Sequence, residues 1–388
     1  MHRMQAILQE FSSRIRDAAA RGQALRVRGG GTKDFLGQSL VGEVLDTRPY
    51  QGILSYEPSE LVITVRAGTP LAQVEAALAD QGQCLAFEPP HFGAGATVGG
   101  MVAAALAGPA RASVGSVRDF VLGARVLNGR GEDLSFGGQV MKNVAGYDVS
   151  RLLAGSLGTL GLITEVSLKV LPVAPAEATL ACVGLSQAAA LDWLNRWGGQ
   201  PLPLNASAWV RDTTREGAPD VLFVRLRGAV AAVESAIARM RADVQAEGAQ
   251  VSQHGDDVAD DWRASAEQTL PFFAQPPAPD ACLWRLSVPQ TAPVLESPHV
   301  QGTPYIEWHG AQRWYWAPAR AADALRQLAT SVGGHATLFR TSAAHGDADK
   351  AVGVFAPLDA VQQRIQRGLK QSFDPAGIFN PGRWYDGM

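Results

Sequence analysis

The sequence predicts an α+β protein built from two unlike parts, on three observations. Up to residue 172, short apolar strands alternate with glycine-rich segments. From 173 onward glycine thins out and amphipathic helical stripes lengthen. In that later region the order strand, helix, strand, strand, helix, strand is legible once clearly and once more loosely, the ferredoxin-like β-α-β-β-α-β arrangement.

Composition sets the limits. A chain of 388 residues allows two or three domains. With 46% hydrophobic and 18% charged residues it can build a large core and does not read as disordered. A net charge of −3 argues against a protein held to nucleic acid by bulk charge. Cys84, Cys182 and Cys282 lie far apart with no CxxC, so neither a zinc ribbon nor an iron–sulfur cluster is encoded, and the odd count fits a reducing compartment, the cytoplasm. No charged residue lies between Glu88 and Arg111, but prolines and glycines interrupt that stretch. Its apolar run, 101–107, is far shorter than the ~20 residues of a spanning helix, so no transmembrane segment is expected.

The elements follow in order. Residues 1–22 read as an amphipathic helix and not as a secretory leader. Residues 24–28, ALRVR, form a strand running into Gly29-Gly30-Gly31-Thr32, and 61–68, LVITVRAG, form another. A helix then opens with Thr69 as N-cap and Pro70 at its first position, carries the stripe Leu71, Val74 and Leu78, and stops at Gly82. Residues 120–127 meet Asn128-Gly129 and then 133–136, a hairpin. Residues 162–172 alternate as a strand ending at Pro172. Beyond 173 the expected elements are strand 178–184, helix 187–197, strands 206–211 and 220–226, helix 229–247 and strand 249–253. A second pass runs through strand 282–288, a short helix near 293, strands 305–309 and 312–317, helix 319–331 and strand 335–341. The sheets of the two passes could join. Helix 357–371 leads into a C-terminal segment.

Three glycine segments carry the chemistry. Consecutive glycines after a strand let backbone approach a ligand and aim several N–H groups at an anion, so Arg28-Gly29-Gly30-Gly31-Thr32 suits a pyrophosphate, although an isolated GGGT is equally a flexible turn. The second, 93–100, imitates a dinucleotide fingerprint with Asp119 beyond it. Pro89-Pro90 before it and Gly108-Pro109 after it leave no room for the strand and full helix that a Rossmann unit needs. The third, 147–161, repeats glycine at 155, 158 and 161 just before a strand. That spacing leaves a bare face for a flat ring, or makes a tight corner.

Taken in this order, the three segments resemble the FAD-binding domain of the vanillyl-alcohol oxidase/PCMH flavoprotein family over residues 20–172, with the family's closing motif at Asp374-Pro375 through Asn380-Pro381-Gly382. The wording of 140–172 and 373–383 is similar to the FAD-binding E subunits of bacterial glycolate oxidases. The resemblance implies a two-part PCMH-type FAD domain (1–172 and 355–388) enclosing an α+β cap (173–354).

It also implies roles. Gly29, Gly30, Gly31 and Thr32 hold the FAD pyrophosphate, with Arg28 placing the loop. Thr97, Val98, Gly99 and Gly100 line the second phosphate and ribitol side. Gly115, Ser116 and Asp119 lie near the ribityl chain and adenine. Gly155, Gly158, Thr159, Gly161 and Ile163 pack along flavin and adenosine, and Asn380 reaches toward the isoalloxazine. Thr32 and Lys33 stand where some relatives tether flavin through histidine, so FAD is expected to be non-covalent. The implied activity is oxidation of glycolate, a 2-hydroxy acid, to glyoxylate. The implied partners are a flavoprotein D subunit and an iron–sulfur F subunit, through which any membrane association would run. Related caps hold a metal with paired histidines. Here His345-Gly346-Asp347-Ala348-Asp349 has no second histidine, so no metal is assigned and the catalytic residues stay unassigned. A flavin-bearing assembly subunit without catalysis and a stand-alone hydroxy-acid dehydrogenase remain as alternatives.

Outside the glycines, His309, His335 and His345 are candidates only by type. Arg285 and Arg340 could clamp a carboxylate but read more readily as solvated strand-end residues. Trp308, Trp314 and Trp316 read as sheet or partner packing, and 255–261 as a loop and helix N-terminus.

Overall fold

A computed structural model of the chain describes residues 2–138, 148–385 and 387. The first eight residues of the 140–172 motif, Tyr147 included, lie outside them. The described residues group into two compact units, one drawn from 1–106, 115–173 and 357–388, the other from 107–114 and 174–356.

In the first unit five antiparallel strands run in the order Ile53–Glu57, Val62–Arg66, Leu162–Lys169, Val121–Leu127, Asp133–Gly137. Leu162–Lys169 is the central strand, and its residues 163, 166 and 168 are buried along with 162, 164 and 167. Burial on both faces follows from its central place, so its sequence alternation understates how much of it is covered. A second, parallel pair, Leu25–Arg28 with Glu43–Asp46, is extended by a parallel bridge from Leu25 to Phe379. Phe11, Ile15 and Ala18 of helix His2–Arg21 share one core with Leu25, Leu45, Leu162, Ile378 and Phe379. Fully burying side chains of this size stabilises by roughly 1.5–3 kcal/mol each.

Two local readings change. Helix Leu71–Ala79 is capped by Pro70 at ψ 131°, not by Thr69. The Thr69 hydroxyl is already spent, donating to Arg66 O (2.7 Å) and accepting from Gly52 N–H (2.8 Å). The hairpin connection is five residues, 128–132, held by Asn128 Oδ1 accepting from Arg130 and Glu132 amides at 2.9 and 3.0 Å.

The second unit is one eight-stranded sheet in the order Gln250–His254, Ala176–Val183, Asp220–Gly228, Leu204–Arg211, Gln301–Glu307, Gln312–Pro318, Ala281–Ser287, His335–Arg340. Its two four-stranded halves meet through only two residue pairs, Ala208 with Glu307 and Trp209 with Ile306. The register carries Trp209 to Ile306, Arg313 and Leu286 across the sheet. Trp209 and Ile306 lie in one core, packed by helices Gln187–Gly198 and Val230–Gln245; Leu286 lies in the other, packed by Ala322–Thr330. These helices therefore cover one face. The opposite face carries Ala208, Tyr305, Glu307, Trp314 and Arg285, and helix Ala259–Glu267 and Pro271–Ala274 pack on part of it.

The helix expected near 293 is absent. Pro289, Pro293 and Pro298 oppose it, and the fully buried Arg313 guanidinium reaches into the segment, donating to the carbonyls of Gly310 (3.1 Å), Pro293 (2.5 Å) and Ala292 (2.6 Å). Its charge satisfies carbonyls that a helix would have paired internally. The strand expected at 305–309 ends at Glu307, because Trp308, His309 and Gly310 turn with φ of 55°, 55° and 95°.

Candidate functional site

The strand Leu25–Arg28 delivers its glycine loop into an open cleft of the first unit lined by Arg28 through Asp34, Thr97, Gly100, Leu157, Asn380 and Arg383, among others. Hydrogen bonds fix the strand that leads into the loop. Leu25 N–H donates to Ile378 O (2.7 Å), Val27 N–H to Asn380 Oδ1 (2.8 Å), and Arg28 O accepts from Thr47 N–H (3.0 Å). The amides of Gly29, Gly30, Gly31 and Thr32 are the exception, with no acceptor among the described residues. Four successive unpaired donors form a cradle for anionic oxygens.

The glycines are required by close packing. A Cβ on Gly30 would lie 1.6 Å from Gly95 O, and one on Gly29 would lie 2.2 Å from Thr97 Oγ1. Arg28 folds back over Gly31 and donates from Nε to Asp34 (2.8 Å), which Arg26 also bonds. Lys33 Nζ donates to His91 O (3.1 Å), and Arg383 donates to the carbonyls of Gln38 (2.5 Å) and Asp34 (2.9 Å). Arg28, Lys33 and Arg383 thus face one carboxylate, Asp34, around the cleft, a balance that favours a dianion. Arg383 has no role in the sequence reading, although it directly follows Asn380-Pro381-Gly382.

The other sequence-derived residues divide. Thr97 caps helix Val98–Ala104, accepting from Gly100 N–H (3.3 Å), and both line the cleft. Val98 and Gly99 do not line it. Their amides donate to Thr69 O (3.0 Å) and Ala67 O (2.8 Å), and Gly99 packs on Ala67. Asn380 lines the cleft with its amide committed to Val27 N–H and Leu157 O (2.6 Å), so it clamps two loops.

Gly155, Gly158, Thr159, Gly161, Ile163, Gly115, Ser116 and Asp119 lie outside that lining. Gly155 N–H closes onto Val102 O (3.0 Å), Thr159 Oγ1 donates to Ser156 O (2.8 Å), and Gly161 packs against Leu127 O. Ser116 donates twice to Asp119 at 2.8 Å as a capping box. Burial raises the Asp119 carboxyl, but these bonds and the nearby Arg118 and Arg151 outweigh it and hold it below the usual range.

In the second unit Arg285 stands between Trp314 and Thr337 on the open sheet face, with its guanidinium over the Phe339 ring. It makes no hydrogen bond among the described residues, and its Nε is buried without a partner. Burial, then repulsion from Arg111, depresses its pKa to about 10 despite Glu307. Burial lowers Arg340 to about 10 as well. Arg111 stacks on Trp308, whose Nε1 donates to Gly108 O (3.0 Å). Trp314 Nε1 donates to Glu307 (2.7 Å) and Trp316 Nε1 to Phe272 O (2.9 Å).

The histidines are not gathered together. His335 opens its strand at the surface, and His345 approaches Asp349 at 3.5 Å. Asp349 in turn accepts from Ser342 N–H (2.8 Å), Ser342 OH (2.6 Å) and Cys282 Sγ (3.3 Å). His309 is buried between hydroxyls, Nδ1 to Ser207 (3.1 Å) and Nε2 to Ser113 (3.0 Å). Burial drops its pKa to about 4. The folded state therefore resists a proton that the unfolded state takes up near 6.5. The resulting stability, about 3 kcal/mol, is complete above pH 6.5 and is lost as pH falls toward 4. Denaturant midpoints measured from pH 7.5 to 4 should fall for the native chain and fall less for His309→Asn; parallel curves would rule out this assignment.

The chain is similar to known flavoproteins. A family model described as an FAD binding domain matches residues 8–137. The glycolate oxidase subunit GlcE of Escherichia coli is 43% identical over 98% of this chain and 97% of its own length. A D-lactate dehydrogenase of Archaeoglobus fulgidus is 26% identical over 97% of this chain and 89% of its own. Among solved structures, an alkyldihydroxyacetonephosphate synthase shares the fold at a TM-score of 0.65 and 16% identity, over 96% of this chain and 74% of that one. The fold and the FAD domain define a flavoprotein, an FAD-linked oxidoreductase subunit. More particularly, the chain belongs to the family of the glycolate oxidase subunit GlcE. No helix among the described residues is long and apolar enough to cross a membrane.

Proposed function

We propose that the loop at 28–32 holds the diphosphate of a non-covalently bound FAD, in a subunit of an assembly that oxidises glycolate to glyoxylate. The observation that carries this is the run of four unpaired amides, Gly29 to Thr32, in a cleft richer in cations than in carboxylates. Thr32 and Lys33 supply no histidine for a covalent tether. When bound, the flavin supplies the two-electron acceptor for the substrate Cα–H. On this reading residues 1–172 and 355–388 are the FAD domain, and 173–354 are a cap of two ferredoxin-like units. A flavoprotein D subunit and an iron–sulfur F subunit complete the assembly in the cytoplasm, and any membrane contact runs through them.

Arg285 is the residue best suited to a substrate carboxylate, because its buried guanidinium, stacked on Phe339, has no hydrogen-bond acceptor among the described residues and Arg111 adds a second positive charge nearby. A single anchor leaves an acid free to turn about it, away from the roughly 3–3.5 Å alignment that transfer requires. The isolated chain should therefore reduce its flavin slowly, and the assembled complex rapidly. Anaerobic mixing with glycolate, followed by flavin absorbance with and without the D and F subunits, tests this. Arg285→Met in the complex should raise KM by about tenfold or more, the loss of a charge-assisted bond. Acid precipitation should leave FAD in the supernatant. A chain that takes up no FAD, or flavin that stays in the pellet, overturns the cofactor reading; fast bleaching of the lone chain overturns the dependence on partners.

A further inference from the structure

A second cavity, in the second unit, shares no residue with the cleft or with Arg285. It holds about 130 Å³, close to the roughly 150 Å³ of an engineered apolar cavity that accepts benzene. Its floor is Ala208, Thr179 and Tyr305, and its aromatic walls are Phe223, Trp262 and Phe272. The polar atoms within already serve one another: Thr179 Oγ1 accepts from Trp262 Nε1 (2.9 Å), and the Tyr305 hydroxyl bonds Ser265 (2.8 Å). The interior therefore recognises shape and apolar surface.

The rim has a sign. Arg211 is paired with Asp220 (3.0 Å) and Arg215 with Asp212 (2.9 Å), while Asp261 makes no hydrogen bond or ion pair among the described residues. Burial, then the neighbouring Asp212, Asp260 and Asp257, raises the Asp261 carboxyl above its ordinary range. Two cations are already held against the box, Arg225 over the Trp262 ring (4.9 Å) and Arg215 over the Phe223 ring (5.9 Å), and Asp261 is the carboxylate at its mouth that neither of them pairs. We propose that this cavity binds a small apolar ring carrying a positively charged nitrogen, the ring among Phe223, Trp262 and Phe272 and the nitrogen toward Asp261.

The test uses the full FAD-loaded chain and three phenyl probes that differ only in charge: benzylamine, benzyl alcohol and benzoate. Saturation-transfer NMR gives their dissociation constants. Benzylamine should bind about tenfold tighter than benzyl alcohol, from one carboxylate and the aromatic faces together. Benzoate should not bind. Ala208→Leu fills the floor and should abolish binding of both ligands with FAD content unchanged. Asp261→Asn, a surface change that leaves the core untouched, should weaken benzylamine by about threefold to fivefold and leave benzyl alcohol unaffected. Benzoate binding as well as benzylamine, or benzylamine affinity unmoved in Asp261→Asn, overturns the proposal whether or not Ala208→Leu folds.

Discussion

Gly30→Asp should yield a chain with less than about a tenth of the normal FAD content. Two effects act in one direction. The new Cβ would sit 1.6 Å from Gly95 O and 2.3 Å from Gly95 C, and both are backbone atoms that cannot swing aside, so the loops 29–31 and 93–97 must part. The carboxylate would then sit where a diphosphate is expected, adding repulsion of about 4 kcal/mol for unit charges 4 Å apart at an effective dielectric of 20. Gly30→Ala carries the same Cβ without the charge and separates the two effects: it should lose most of the flavin, though less than the aspartate. All tryptophans but Trp384 belong to the second unit, so near-ultraviolet circular dichroism reports chiefly on that unit and should be unchanged. Stoichiometric FAD in Gly30→Asp would show that the loop is only a turn.

Lys370→Met should be the most destabilising single change in the C-terminal segment. Its ammonium is saturated, donating to Asp374 (2.7 Å), Thr159 O (2.8 Å) and Phe379 O (2.8 Å). The Asp374 side chain is fully buried and also accepts from Ile378 and Phe379 amides at 3.2 and 2.8 Å. Removing the lysine strands a buried carboxylate, which costs about 3–5 kcal/mol. Because Asn380 hangs from the same turn, flavin affinity should fall with stability. Urea melts and FAD titrations check both. A loss below 1 kcal/mol, the value of an exposed pair, would mean that Asp374 finds water.

Much of this was legible in the residues. The first β-α-β-β-α-β run fell close to its expected bounds because long helical stripes and strand alternation dominate there. The helix near 293 is opposed locally by Pro289, Pro293 and Pro298, and a second reason lies outside any local pattern: Arg313, 20 residues on, supplies the donors for that segment. Glycine is harder to read. Gly99 and Gly161 are among the glycines the resemblance gives to the cofactor, and in the structure they make room for Ala67 and for the strand at 126–127. Composition cannot tell a glycine that admits a ligand from one that admits a neighbouring strand. Nor does a motif show which of its members are clamps. Asn380 and Asp374 hold backbone, and the open amides they frame belong to residues some 350 positions earlier.

That separation bears on how the protein comes to life at the ribosome. Leu25 and Val27 have their amide partners at 378 and 380, so the strand that presents the glycine loop stays half-bonded until those residues exist. At about 5–20 residues per second the interval is roughly 20–70 s. During it the emerging chain has a glycine loop with no frame to fix it. On the proposed reading of the cleft, FAD loads only once residues 378–380 have been made, and these residues act as its latch.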